Sequence, residues 1–309
     1  MRKALDAKAS GLMILLCIIW GIQQVVLKIA AADIAPIMQI AIRSGLSAVL
    51  LFPLIYIQKI KQLWSLSYVL PGLLLALLFS AEFLLVAEAL RFTSAAHTVV
   101  LLYTAPIFVA LGLHWIIPSE RLSPLQWGGI LIAFVGIIIS FAGRDQSSLS
   151  SQSLKGDVMA LLAGVMWALT TISLRLTKLS EAPPTQTLFY QLVGGFIFLF
   201  PLAFLMGQAE IHWTTIAISS LIFHTLIMSL LSLLLWFWLL QHYLANQLGV
   251  FSFLTPVFGM IFGVIFLHER IEINFLLGTA LVMIGVLVVS IQAWIQRKIC
   301  YKAKPVQPL

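Results

Sequence analysis

Charged residues are scarce: Asp, Glu, Lys and Arg make up 9% of the 309 residues, where a soluble domain carries about 25%. That excludes water as the solvent for most of the surface. Cysteine is nearly absent. Cys17 lies inside an apolar run and Cys300 near the end, a pair without metal-ligand spacing or an evident disulfide framework. His114, His212, His224, His242 and His268 are dispersed along the chain, so no metal is expected. Also missing are a glycine loop to cradle phosphate and a nucleophile beside a base. An intramembrane transferase acting on lipid-linked substrates therefore lacks its constellation, and no cofactor is expected. The net charge of +7 is scattered between apolar runs, which argues against a nucleic-acid surface.

What the chain has in abundance is long apolar sequence, with 61% hydrophobic residues. A helix needs about 20 such residues to cross a hydrocarbon layer about 30 Å thick. Ten runs qualify, near Gly11 to Ala32, Pro36 to Ile57, Ser67 to Leu90, Ser94 to Ile117, Pro124 to Gly143, Gly156 to Thr177, Thr185 to Met206, Trp213 to Gln241, Ala245 to Leu267 and Asn274 to Trp294. Backbone groups in lipid must be satisfied within their own segment, and barrel strands would show short alternating stretches. The expected fold is an all-α membrane protein of ten transmembrane helices. Arg2, Lys3 and Lys8 precede the first run without a small-residue cleavage site, which reads as an uncleaved first helix.

Basic residues mark the cytoplasmic side of short loops. With the N-terminus inside, the inner segments hold Arg2, Lys3, Lys8, Lys59, Lys61, Arg121, Lys178, Arg297, Lys298, Lys302 and Lys304, and the outer ones only Arg91, Arg144, Lys155 and Arg270. Both termini are expected in the cytoplasm, in the cell (inner) membrane.

The two halves echo each other. Trp20, Lys28 and Pro36 recur at the same spacings as Trp167, Arg175 and Pro183. Thr104-Ala105-Pro106, Glu120-Arg121 and Gly129 recur as Leu254-Thr255-Pro256, Glu269-Arg270 and Gly278. Five spans per half is an odd number, so the second half enters the membrane from the opposite side and the repeat is inverted. The expected organisation is a first five-helix repeat over 1–146, a serine-rich linker over 147–154, a second repeat over 155–296 and a cytoplasmic tail over 297–309. Inverted halves can exchange conformations and expose a midplane site first to one side, then to the other.

The stretch EALRFTSAAHTVVLLYTAPIFVALGLHWIIPSERL and its echo ANQLGVFSFLTPVFGMIFGVIFLHERI resemble the fourth-helix region of the EamA family of the drug/metabolite transporter superfamily. The resemblance covers nearly the whole chain. It implies that the first four spans of each half line a central cavity while the fifth and tenth stand outside as scaffold. It also implies export of amino acids or other metabolites, often with protons proposed as the coupling ion. The expected partners are thus a small-molecule substrate, the lipid bilayer and protons.

Ionisable groups within a span cost at least about 2.5 to 3.5 kcal/mol and normally face the bundle interior or water. Glu82 lies roughly 13 Å and Arg43 roughly 10 Å from the outer span ends at 1.5 Å per residue. The two are read as an ion pair or as a joint site for a zwitterion, with Glu82 meeting its amino group and Arg43 its carboxylate. Trp20, Trp167, Tyr103 and Tyr190 are interior aromatics that either line the cavity or pack the core. Glu88 and His97, near the outer ends of adjacent spans, are expected to meet at the cavity mouth. With Glu82 they form the set for proton coupling. Lys28 and Arg175 are read as snorkelling to headgroups, and the Glu-Arg pairs as loop anchors. Pro106 and Pro256 remove amide donors inside the fourth and ninth spans, either as fixed bends or as gates. A non-transporting membrane scaffold or partner subunit remains the alternative to a transporter.

Overall fold

The computed structural model describes residues 6–118, 121–142, 151–243, 248 and 251–302. All regular elements among them are helical. Helix α1 covers Ala7–Ile29 and ends in a 3-10 turn at Ala30–Ala32. It is followed by α2 (Pro36–Ile57), α3 (Leu66–Phe92), α4 (Ala95–Leu102), α5 (Ala105–Ile116) and α6 (Pro124–Ala142). The second part holds α7 (Ser151–Leu176), α8 (Pro184–Leu205), α9 (Thr215–Ile222), a π-helical segment (Phe223–Leu231), α10 (Ser232–His242), α11 (Leu254–Leu267) and α12 (Ile273–Lys302).

Local chemistry sets the helix starts. Asp6 accepts from the Ala9 amide at 2.8 Å, Ser94 from the His97 amide at 2.9 Å and Thr214 from the Ala217 amide at 3.2 Å, each satisfying an otherwise orphaned donor. Ser123 and Gln126 cap α6 reciprocally at 3.0 and 3.3 Å, the capping-box arrangement. Pro36 and Pro184 occupy first turns, where the missing amide costs nothing.

Among the described residues, seven helical stretches are long and apolar enough to cross a membrane: 7–32, 36–57, 66–92, 95–116, 152–176, 184–205 and 215–236. The expected fifth and tenth spans correspond to α6 and α12, and the expected ninth appears as the shorter apolar helix over 254–267. Most of 244–250 lies outside the described residues, so the ninth span is seen only from its break onward. The first half of the expected linker 147–154 is also outside, and its last four residues already belong to α7. Glu120, Arg144 and the end of the tail lie outside as well.

The fourth span is not one bent rod. It breaks at Tyr103 and Thr104, and Pro106 sits in the first turn of α5. Pro256 likewise sits in the first turn of α11. Both prolines start a helix rather than kink one. Pro53, Pro71 and Pro201 fall inside α2, α3 and α8.

Helix α1 packs on α11, α2 on α8 and the π segment, α3 on α7 and α8, and α4 on α7 and α11. Helices α6 and α12 pack mainly on each other, with α12 also touching α5, the position expected for the scaffold pair. Small residues let that pair close: a Cβ added at Gly129 would lie 2.9 Å from the Gly285 carbonyl oxygen, and one at Gly136 2.6 Å from that of Gly278.

Two ends of the bundle can be told apart by their contacts. At the end where α1 finishes, here the distal end, the His212 amide donates to the Asp33 carbonyl at 2.8 Å and Thr214 to the Asp33 carboxylate at 2.7 Å. At the proximal end Thr185 donates to Gln58 at 2.6 Å.

Candidate functional site

Arg43 on α2 and Glu82 on α3 are both buried. The Arg43 guanidinium lies over the Phe83 ring, 4.6 Å from its centroid, and its buried Nε has no hydrogen-bond partner. The two charges act on each other. Among the described residues, however, no nitrogen–oxygen approach within 4.0 Å joins them. Among the described residues a guanidinium and a carboxyl group are thus held near each other without a direct contact inside an apolar bundle, where an unpaired charge is costly. A guest carrying both charges would satisfy each.

Other polar groups gather around Arg43. His224 on the π segment lies 2.8 Å from the Ser220 carbonyl oxygen and 3.3 Å from that of Gln23, and feels the charge of Arg43. Ser47, one turn along α2 from Arg43, donates to the Thr225 carbonyl at 3.5 Å. π-helical turns are rare and recur at functional sites, because the i to i+5 pattern bulges the backbone. Among the described residues, Gln23 Nε2, Gln24 Oε1 and Thr225 Oγ1 are buried without hydrogen-bond partners.

The aromatic residues expected in the cavity divide. Trp20 Nε1 donates to Ser232 at 3.1 Å, and its ring meets Trp236 edge-on at 5.5 Å, joining α1 to α10. Tyr103 meets Trp167 edge-on at 5.2 Å at the break between α4 and α5. Glu82 acts electrostatically on Tyr103, so it borders the same polar zone. The structure places Tyr190 elsewhere: its hydroxyl donates to the Leu63 carbonyl at 2.5 Å and accepts from Gln186 at 3.0 Å. Tyr190 ties α8 to the proximal loop between α2 and α3.

A recess of about 360 Å³ opens at that loop, lined by Tyr56, Lys59, Lys61 and Trp64 among others. Lys59 is 16 residues along from Arg43, about 24 Å at 1.5 Å per helical residue. The recess is therefore a surface feature, and the charged pair in the core is the better candidate site.

The distal end carries a second group of charges, and Glu88 and His97 each have their own partners there. Glu88 binds Arg91 at 2.8 Å and accepts from Gln208 at 2.8 Å. His97 Nδ1 lies 3.0 Å from Asp157 and its Nε2 lies 3.6 Å from Glu272. Asp157 also accepts a hydrogen bond from Thr93. Lys28 does not snorkel free: its Nζ donates to the Thr93 carbonyl at 2.6 Å and lies 3.4 Å from Glu269. Glu269 accepts from the Ala95 and Ala96 amides at 2.7 and 3.0 Å, so it caps α4 from across the bundle and favours the positive end of that helix. More than a loop anchor, it joins α1, α4 and the end of α11. Glu269→Gln is expected to lower stability by about 2 to 3 kcal/mol, since it strips charge from three contacts. Arg270→Gln, at an exposed neighbour, is expected to change nothing. Equal thermal midpoints for the two variants would refute the assignment.

Asp157 and Glu272 were not singled out from sequence. Asp157 stands one residue inside the expected sixth span, so the rule that ionisable groups in spans serve a purpose could have found it. The π segment has no comparable sequence signal.

A bundle of long apolar helices around a few buried ionisable side chains defines a multi-pass integral membrane protein. The chain belongs to the EamA-like transporter family, whose profile matches residues 7–142 and 154–291; it is a membrane transporter. An uncharacterized transporter of Bacillus subtilis, YoaV, is 27% identical over 274 residues, covering 87% of this chain and 92% of that protein. A protein of Salmonella typhimurium named "Probable amino-acid metabolite efflux pump" is 26% identical over 294 residues, 91% of this chain and 94% of its own. A crystal structure with a TM-score of 0.65 covers 94% of this chain and 99% of its own at 15% identity, a likeness of fold alone.

Proposed function

We propose that this transporter exports an amino acid or a similar small zwitterion by alternating access, with ten spans in two inverted repeats and both termini in the cytoplasm. One observation carries the reading. Arg43 and Glu82 are buried, opposite in charge and held without a direct ion pair, and Arg43 Nε is unsatisfied. The cargo carboxylate meets Arg43, whose planar fork suits a carboxylate, and its amino group meets Glu82. Tyr103, Trp167 and Trp20 border the cargo's apolar part. When cargo leaves, Glu82 accepts a proton, which is how a coupling proton enters. The breaks at Tyr103–Thr104 and before Pro256 supply the moving joints. The Salmonella relative named as an amino-acid metabolite pump supports the cargo class.

The test is thermal stabilisation of the purified protein, because a ligand that binds only the folded form adds about 2.7 kcal/mol at 100 times its Kd. Amino acids are expected to raise the midpoint, while the matching amines and carboxylic acids are not. Glu82→Gln is expected to abolish the shift, and Glu210→Gln, on an exposed distal side chain, to keep it. Stabilisation unaffected by Glu82→Gln would refute the site.

A further inference from the structure

The distal charges hold a feature that cargo binding does not use. His97 projects from α4 into the space between α7 and α12, and its ring is nearly inaccessible to solvent, at 6% side-chain exposure. Phe275 stacks on the ring with centroids 3.7 Å apart and planes 5° from parallel, which fixes the ring plane. In that plane both nitrogens point at carboxylates: Nδ1 at Asp157, 3.0 Å away, and Nε2 at Glu272, 3.6 Å away.

A neutral imidazole has one N–H and one lone pair, whereas the imidazolium has two N–H donors. Only the imidazolium can attract both carboxylates, and a neutral ring would turn a lone pair toward one of them. We infer that His97, Asp157 and Glu272 form a proton-binding site whose bound proton latches the distal end of the transporter shut. His97 lies in the first family-matched segment and both carboxylates in the second, so the proton bridges the two. The inference rests on the alternating-access reading for its meaning as a gate, but not for the proton site itself.

Among the described residues, the other charges at this end are partnered or exposed. Lys28 of α1 meets Glu269 at the end of α11. Arg91 and Glu88 of α3 meet each other, Lys155 of α7 lies over Phe92 at 4.5 Å, and Arg270 is exposed. Asp157 accepts from Thr93 as well as facing the ring, so the latch joins the end of α3 to α4, α7 and α12. Losing the proton weakens the Glu272 contact first, because that carboxylate is the farther and the more exposed of the two.

Gln24 reports on the latch, since it is buried one helical turn below Lys28 on α1. With Cys17→Ser and Cys300→Ser as background, Gln24→Cys is labelled in sealed vesicles with a membrane-impermeant thiol reagent applied to the distal face, without cargo. The pH of the labelling buffer runs from about 5 to 8. Labelling in this parent is expected to rise about 10-fold more with pH than in the same protein carrying Glu272→Gln, the size of losing one charged hydrogen-bond partner. The glutamine amide can donate to a neutral ring, so that contact no longer needs the proton. Titration of the reporter thiol is common to both proteins and cancels in the comparison. His97→Gln is expected to be flat as well. Matching pH profiles for the parent and Glu272→Gln would overturn the latch. Glu272 is partly exposed, so its variant tests the latch without disturbing the core. Because no cargo is present, a wrong cargo class leaves this result unchanged.

Discussion

Arg43→Gln is expected to slow cargo exchange by about 100-fold, which corresponds to about 2.7 kcal/mol and lies within the range for removing one partner of a buried charge pair. The loss has two parts. The cargo carboxylate loses its guanidinium, and Glu82 loses the cation that favours its charged form. Initial rates of counterflow measure it. Arg43→Lys is expected to recover only part of the rate, since an ammonium lacks the fork and cannot lie over Phe83 in the same way. If Arg43→Gln exchanged at the parent rate, the guanidinium would be a packing device and the cargo site would lie elsewhere.

Gly136→Ala is expected to destabilise the protein by about 1 to 3 kcal/mol, although alanine is the better helix former by about 1 kcal/mol. The added methyl would stand 2.6 Å from the Gly278 carbonyl oxygen and 2.7 Å from the Val282 amide nitrogen, and backbone atoms cannot step aside as a side-chain tip can. Gly128 provides the internal control on the same helix, because a Cβ there meets nothing within 4 Å. Gly128→Ala is expected to be neutral or slightly stabilising. Thermal midpoints decide: a similar fall for both would mean that small residues matter here for helix flexibility, and no fall for either would mean that α6 and α12 are not in close contact.

Much of this was legible in the apolar runs, because lipid imposes one length and one backbone solution on every span. Arg43 and Glu82 stood out for the same reason, as charges where hydrocarbon rejects them. The partners of polar groups near span ends were not legible. Lys28 looked free to reach headgroups, yet it meets Thr93 and Glu269, residues 65 and 241 positions away. Glu88 and His97 looked like neighbours and instead bind Arg91 with Gln208 and Asp157 with Glu272. Periodicity fixes which residues are buried but not which helix lies opposite. Tyr190 looked like a cavity aromatic, yet its hydroxyl serves the proximal loop through Leu63 and Gln186. The helix restarts at Pro106 and Pro256 were half legible: proline marks where the amide ladder fails, but whether the chain bends or begins anew depends on the turn before it.

Counterflow into liposomes holding this protein alone tests the central claim most directly. The compounds that stabilise the purified protein are loaded inside, and a labelled trace is supplied outside. Saturable uptake above that of empty liposomes, lost in Arg43→Gln, is the predicted result. Uptake equal to that of empty liposomes for every stabilising compound would contradict it.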